Sequence, residues 1–265
     1  MVWKLSLTDK DSHNPDKLSR LIKKYHLPIL AVHMPHSKWN VYGDDPRDIL
    51  DGIVSLAGEV GAKIVTIHPE RKQIPRYYSK LKRAVRTFKN SSITIAIENM
   101  PDNGLVDKQS LDTLGLVRDF GKICVDTSHL ATLRLSTLNI VRQIAPHIAH
   151  VHVSDSSIRR MENGKIDDEH LPIGDGKLPI AKILSILHKA NYCGCLSIEL
   201  RPDLFTNLPR DRTLRIIKQS LGRVKKCSSY LGASLSLTAF TSEESVPTSE
   251  VARKLLNYTN YCISQ

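Results

Sequence analysis

Short hydrophobic runs rich in β-branched residues recur along the chain, and most are followed by apolar residues at helical spacing. After the run at residues 29–33, Asp45-Pro46 supplies an N-cap and a first-turn proline, and a helical pattern continues to Gly61. Further helices are predicted over residues 75–88, 110–120, 136–144, 179–190 and 210–224. Strands that alternate with helices indicate parallel pairing with right-handed crossovers, so the pattern predicts an α/β protein of the (β/α) TIM barrel type.

The strand count falls short of a complete barrel. Six strand-like runs are clear, a seventh is predicted at residues 2–7, and a closed barrel of this type has eight. The first βα unit is therefore predicted to be absent or permuted. Residues 230–240 are strand-like and residues 250–258 helix-like. We divide the chain into a barrel at residues 1–225 and an appendage at residues 226–265, which is either partly disordered or supplies the missing unit.

Each of the six clear strand-like runs carries, at its carboxyl end, a residue of a type that binds metal ions. These residues are His33, His68, Glu98, Asp126, His152 and Glu199. In a parallel barrel all the carboxyl ends of the strands converge on one face, where the active site lies. Imidazole and carboxylate ligands suit zinc, manganese, magnesium or cobalt. The repeated position favours a shared metal site.

Three further residues extend this set. His129 follows Asp126 by three residues at the start of a helix, and Asp168 and His170 share one face of an extended stretch in a long polar loop. Taken singly, a histidine at a strand end is more often a hydrogen-bonded residue than a ligand, but buried carboxylates such as Glu98 and Glu199 need a partner. Nine ligand groups suit two or three ions. His150 has the strand parity of His152 and is predicted one layer deeper, in a structural or supporting role.

The charge of the chain bears on its partners. Lys and Arg number 38 against 27 Asp and Glu, a formal net charge of +11. This excess favours anionic partners such as phosphorylated small molecules or DNA, although a basic solvated surface explains it equally. No apolar stretch long enough to span a membrane and no signal peptide is visible. The five cysteines show no CxxC spacing, and Cys124 and Cys195 fall within strands, which indicates buried thiols and a cytoplasmic protein.

The ordered motifs resemble those of the xylose isomerase-like superfamily of TIM barrels, which includes sugar-phosphate isomerases and epimerases and the endonuclease IV family of abasic-site nucleases. The motifs are HPE at His68, IAIENMP around Glu98, CVDTSHL around Asp126, HVHVSDS around His152, DEHLPIGDG around His170 and LSIEL around Glu199. The likeness runs from about residue 27 to residue 221 in unbroken order. It implies a barrel that binds one to three divalent metal ions, zinc or manganese, at its mouth.

The two branches of the superfamily imply different chemistry. In the epimerase branch, Glu98, Asp126, His152 and Glu199 would surround one ion, and Glu98 and Glu199 would act as the catalytic acid–base pair in proton transfer through an enediolate. In the endonuclease branch all nine residues would hold three zinc ions for hydrolysis of a DNA phosphodiester.

The sequence carries features of both branches. All nine residue types and the basic charge agree with the endonucleases, whereas the phrases ENMP and HLPIGDG agree better with the isomerases. The absent first βα unit argues against strong DNA binding and gives weight to a barrel that only binds a ligand. We therefore expect a metal-dependent sugar or sugar-phosphate isomerase or epimerase. The alternatives are a zinc phosphodiesterase acting on abasic-site DNA and a degenerate barrel that only binds a ligand.

Overall fold

The strands of the protein close into one barrel in chain order. The computed structural model describes residues 2–6, 15–24, 26–34, 45–69, 75–100, 113–133, 136–201, 205, 208–229 and 259–264. Its strands are β1 (Val2–Ser6), β2 (Ile29–His33), β3 (Ile64–Ile67), β4 (Thr94–Glu98), β5 (Ile123–Asp126), β6 (Ile148–Val153), β7 (Cys195–Ile198) and β8 (Thr259–Ser264). Each strand pairs with the next, and β8 pairs with β1 to complete the ring.

The direction of the last strand sets it apart from the others. Neighbouring strands from β1 to β7 pair in parallel, whereas β8 runs antiparallel to both β7 and β1. Within the described residues the parallel series therefore has seven strands, and the predicted TIM-type barrel with an incomplete βα series is confirmed. The eighth strand of the ring is β8, from the C-terminal tail. Because β8 is antiparallel to both of its neighbours, it is not the strand of a permuted βα unit, which would run parallel to them. The tail segments 230–240 and 250–258 lie outside the described residues.

The helices lie between successive parallel strands and after β7. They are α1 (Pro15–Lys24), α2 (Pro46–Glu59), α3 (Pro75–Thr87), α4 (Thr113–Phe120), α5 (Thr127–Thr132), α6 (Thr137–Ile144), α7 (Ile180–Lys189) and α8 (Arg210–Ser229), with a 3₁₀ turn at Ala145–His147. Sequence reasoning missed α1, and the proposed boundary after residue 225 falls inside α8. None of the described helices is long and apolar enough to cross a membrane.

The alternation of side chains along the strands divides the core into two parts. Outward-facing aliphatic residues such as Val65, Ile97 and Val151 are fully buried against the helices. Inward-facing positions below the mouth carry a separate cluster of mainly small residues, which includes Ala31, Ala96, Cys124, Cys195 and Ile64. Because successive residues of a strand face opposite sides, the residues two positions further along point into the same interior, at the mouth.

Candidate metal centre

The structure brings all nine sequence-predicted site residues to one end of the barrel. His33, Glu98 and Asp126 are the last residues of β2, β4 and β5; His152 is next to last in β6; His68 and Glu199 directly follow β3 and β7. His129 lies in α5, and Asp168 and His170 lie in the loop between β6 and α7. The predicted convergence of these side chains at one end of the barrel is thus observed.

Glu98 lies at the centre of the cluster. Its Oε2 lies 2.8 Å from His33 Nε2 and 3.2 Å from His68 Nε2, while Oε1 lies 2.9 Å from His152 Nδ1. The side chain is only 1% exposed. Burial alone would raise the pKa of Glu98, but the charge of His152 and the hydrogen bonds from three histidines hold that pKa well below its ordinary value. Glu98 is therefore ionised and available as a ligand.

Four residues from neighbouring strand ends form the tightest acidic set. One ligand atom each from Glu98, Asp126, His152 and Glu199 lies within 4.8 Å of the other three. His152 Nδ1 lies 2.6 Å from Glu199 Oε2 and 3.9 Å from Asp126 Oδ2. Three carboxylates around one imidazole, nearly closed to solvent, repel one another strongly. A divalent cation is the natural counter-charge for such a set.

Asp126 shows the strain of this acidic environment. Burial raises the pKa of Asp126, and the charges of Glu199 and Glu98 oppose the lowering effect of His129 and His170. Its Oδ1 accepts a hydrogen bond from the backbone N–H of His129 at 2.9 Å, which caps α5. Its fully buried Oδ2 has no hydrogen-bond partner in the described part of the chain. A buried carboxylate oxygen without a donor fits a metal ligand.

A second cluster lies beside the first, around Asp168. His129 Nε2 lies 3.4 Å from Asp168 Oδ2, and His170 Nε2 lies 3.1 Å from Asp168 Oδ1. Burial would lower the pKa of His129, but the charge of Asp126 and the hydrogen bond to Asp168 raise it to about 10. Asp168 in turn has a lowered pKa, because its hydrogen bonds to the two histidines outweigh its burial. His129 and His170 also form a set with Asp126 in which one ligand atom of each residue lies within 4.8 Å of the others.

The backbone fixes the orientation of two histidine rings in the way that metal ligands require. His33 Nδ1 donates to the carbonyl oxygen of Met34 at 2.6 Å, and His129 Nδ1 donates to that of Asn99 at 2.7 Å. Both Nε2 atoms consequently face the carboxylates of the cluster. Ligating histidines usually donate their second ring N–H to a carbonyl or carboxylate in this manner. The donor set and its supporting contacts therefore fit a divalent metal.

The loop between β6 and α7 holds Asp168 and His170 at the mouth. His170 N donates to Ser128 Oγ at 3.1 Å, which ties the loop to α5. Glu169, which lies between Asp168 and His170, points the other way. Its carboxylate accepts hydrogen bonds from Ser157 N at 2.7 Å and from Ser156 Oγ at 3.1 Å. The predicted alternation of this segment is observed, although His170 itself has a left-handed backbone with a φ of 43°.

Sequence reasoning missed Asn99, which directly follows Glu98. Its side chain bridges two strands: Nδ2 donates to the carbonyl of Asp126 at 3.1 Å, and Oδ1 accepts from Asp126 N at 2.8 Å. Because it also offers its carbonyl to His129, Asn99 orients two candidate ligands at once. The ENMP motif, in which Asn99 directly follows Glu98, was the sequence feature that could have indicated this residue. His150 lies one layer deeper than His152, as predicted, with its ring 4.7 Å from that of His152.

Residues 3–227 match the model of the xylose isomerase-like TIM barrel family, and the chain belongs to that family. An uncharacterized protein of Mycobacterium tuberculosis is 27% identical over 226 residues, which cover 76% of this chain and 77% of that protein. The match therefore extends over about three quarters of both chains.

Solved structures show the same fold. A D-tagatose 3-epimerase-like protein is 25% identical with a TM-score of 0.59, over 85% of this chain and 90% of the other. An IolI protein with a bound zinc atom has a TM-score of 0.62 at 18% identity, over 87% and 89%. An AP endonuclease of family 2 from Brucella melitensis has a TM-score of 0.54 at 16% identity, over 74% and 81%. The last two show the fold alone.

Proposed function

We propose that the protein is a divalent-metal-dependent isomerase or epimerase of a sugar or sugar phosphate. The observation that supports this best is the set of Glu98, Asp126, His152 and Glu199, whose ligand atoms lie within 4.8 Å of one another at the barrel mouth. The likeness to a D-tagatose 3-epimerase-like protein over most of both chains agrees with this class of reaction. Zinc or manganese would suit these oxygen and nitrogen ligands.

In this proposal the four residues would hold one ion, and the two glutamates would also move a proton. The ion would supply polarisation of the substrate carbonyl beside the carbon that loses its proton. One glutamate takes the proton from that carbon, the electron pair of the C–H bond moves toward the carbonyl oxygen to give an enediolate, and the other glutamate returns a proton. Glu98 and Glu199 suit these roles because two strands, β5 and β6, separate the strands that carry them.

Glu199 is the better placed of the two to meet a substrate. Its side chain is 12% exposed, whereas those of Glu98 and His152 are 1% and 0% exposed. The net charge of +11 favours a phosphorylated or otherwise anionic sugar. Among the described residues, no disulfide involves Cys124, Cys193, Cys195 or Cys227, which fits a reducing cytoplasm as the site of action.

The second candidate function is hydrolysis of a DNA phosphodiester at an abasic site. It is favoured by the His129–Asp168–His170 cluster and by His33 and His68, which both reach Glu98 Oε2. Together with the four-residue set they complete nine donors, enough for two or three ions. Several zinc ions would supply a hydroxide nucleophile and neutralise the phosphate.

The deciding experiment measures metal content and reaction type on the same preparation. We expect protein purified without chelator to carry about one zinc or manganese ion per chain and to exchange a substrate C–H proton with deuterium from solvent, followed by NMR on a panel of ketoses and their phosphates. Three zinc ions and chelator-sensitive nicking of abasic-site DNA would overturn this assignment in favour of the second. A ligand that binds without exchange or nicking would indicate a barrel that only binds.

A further inference from the structure

A chain of three polar side chains crosses the barrel interior directly below the candidate metal centre. Thr66 Oγ1 is hydrogen-bonded to His150 Nδ1 at 3.0 Å, and His150 Nε2 is hydrogen-bonded to Ser197 Oγ at 2.6 Å. All three residues are 0% exposed. None of them belongs to the nine candidate ligands, so the proposed chemistry leaves them without a role.

Each of these three residues lies on a strand two positions before a candidate ligand, which is either on the same strand or directly after it. Thr66 precedes His68, His150 precedes His152, and Ser197 precedes Glu199. Residues at i and i+2 of a strand share a face, so each member points into the barrel immediately below its ligand. The hydrogen bonds therefore connect the three residues that lie directly below His68, His152 and Glu199.

One of the two hydrogen bonds crosses the barrel interior, and the other joins neighbouring strands. β3 and β6 are separated by β4 and β5 in the ring, so the bond between Thr66 and His150 spans the interior, whereas β6 and β7 are direct neighbours. The imidazole has room because Ala31, Ala96, Cys124 and Cys195 pack at this level. The ring of His150 also meets that of His152 edge to face, with an interplanar angle of 85°.

We infer that the Thr66–His150–Ser197 chain is a positioning strut, which sets the spacing of His68, His152 and Glu199 at the metal centre. The inference rests on the proposed metal-dependent function. A neutral imidazole has one donor and one acceptor nitrogen, and a hydroxyl serves as either, so both ends are satisfied in one ring orientation. A buried network with every member bonded is rigid, and removal of one hydroxyl takes away a hydrogen-bond partner of the ring.

The test compares two substitutions at Thr66 that change its packing and its hydrogen bond separately. Thr66→Val keeps the shape and removes the hydroxyl, whereas Thr66→Ser keeps the hydroxyl and removes the methyl. Thr113→Val is the matched control, since Thr113 is 4% exposed and its hydroxyl has no partner among the described residues. Cobalt(II) is the probe, and its dissociation constant and visible absorption spectrum are the readouts, with thermal unfolding of the metal-free proteins beside them.

We expect Thr66→Val to weaken cobalt binding about 10-fold or more and to alter the spectrum, because supporting contacts typically contribute 10- to 100-fold to metal affinity. Thr66→Ser should stay within about two-fold of the parent, as should Thr113→Val. Equal weakening in the valine and serine variants, or an unchanged spectrum and affinity in Thr66→Val, would overturn the strut. If Thr66→Val fails to fold, Ser197→Ala takes its place, with Ser197→Thr as the variant that keeps the hydroxyl.

The failure of the underlying function has a separate signature. Absence of cobalt binding by the parent protein would overturn the metal-dependent function and the strut with it. Normal binding by the parent and by every variant would overturn the strut alone.

Discussion

Glu199 Oε2 lies 2.6 Å from Nδ1 of His152, which joins the end of β7 to the end of β6 at the barrel mouth. The side chain of Glu199 is the most exposed of the proposed four-ligand set, at 12%, whereas that of His152 is 0% exposed. This difference in exposure agrees with the proposed roles, in which His152 holds an ion and Glu199 also moves a proton.

Substitution of Glu199 by glutamine tests its role in proton transfer. We expect Glu199→Gln to reduce exchange of the substrate proton by about 100-fold or more, because an amide cannot act as a base, while the bound ion is retained through the amide oxygen. Deuterium incorporation measured by NMR and metal analysis of the same sample check both parts. Glu162→Gln, at an exposed position of the β6–α7 loop, is the control. Undiminished exchange in Glu199→Gln would remove Glu199 from the mechanism.

His170 tests whether the second cluster holds an ion. Removal of its imidazole leaves Asp168 and His129 as the remaining donors. The second candidate function predicts that His170→Ala lowers the number of ions per chain without unfolding the barrel, whereas the proposed one-ion site predicts an unchanged number. Elemental analysis and circular dichroism measure the two effects. His188→Ala removes an exposed imidazole from α7 and should change neither. An unchanged ion count in His170→Ala would assign His170 to substrate contacts.

The position of the candidate site was predictable from local patterns, and the closure of the barrel was not. Glu98 and Asp126 could be placed because a parallel strand fixes which end of it meets the others. Asn99 could not be given its role, because it acts by bridging the main chain of a neighbouring strand. The antiparallel β8 escaped prediction since its pairing depends on a gap left between β7 and β1, which only the assembled ring defines.

The helix that sequence reasoning missed illustrates a second limit. In α1 only Leu18, Ser19 and Ile22 are buried among the residues whose exposure is described, so the apolar stripe is short. A pattern of three aliphatic residues within ten, Leu18, Leu21 and Ile22, is weak evidence for a helix. The burial of Leu18 and Ile22 in the hydrophobic core supplies the stabilisation that the local sequence of α1 does not.

Two glycines are expected to respond oppositely to alanine. A Cβ at Gly176 would clash with Asp155 Oδ1 and lie 2.5 Å from the Ser156 carbonyl oxygen, so Gly176→Ala must displace the loop that carries the second cluster. We expect a loss of about 1–3 kcal/mol in the free energy of unfolding. Gly222, inside α8, has no atom within 4 Å of its added Cβ, and Gly222→Ala should stabilise by about 0.5–1 kcal/mol. Urea denaturation measures both, and equal effects at the two sites would contradict the close contact.

The last prediction concerns the dependence of stability on pH at the contact between α3 and α4. Asp119 accepts hydrogen bonds from Lys82 Nζ at 2.6 Å and Tyr78 OH at 3.0 Å. Burial opposes ionisation, but these two partners together lower the pKa of Asp119. A carboxyl whose pKa is lower in the folded state stabilises the protein above its unfolded value of about 3.9, and that contribution disappears as the pH falls through the lower folded value.

Asp119→Asn should therefore be less stable than the parent at pH 7, by on the order of 1 kcal/mol, since a partly exposed charged hydrogen bond is lost. The difference should shrink as the pH falls below about 4, because the parent then loses the same charge. Urea denaturation at a series of pH values measures it, and Asp51→Asn, which removes an exposed ion pair with Arg47 within α2, is the control. A difference that stays constant from pH 7 down to full protonation of the carboxyl would show that Asp119 acts by packing rather than by charge.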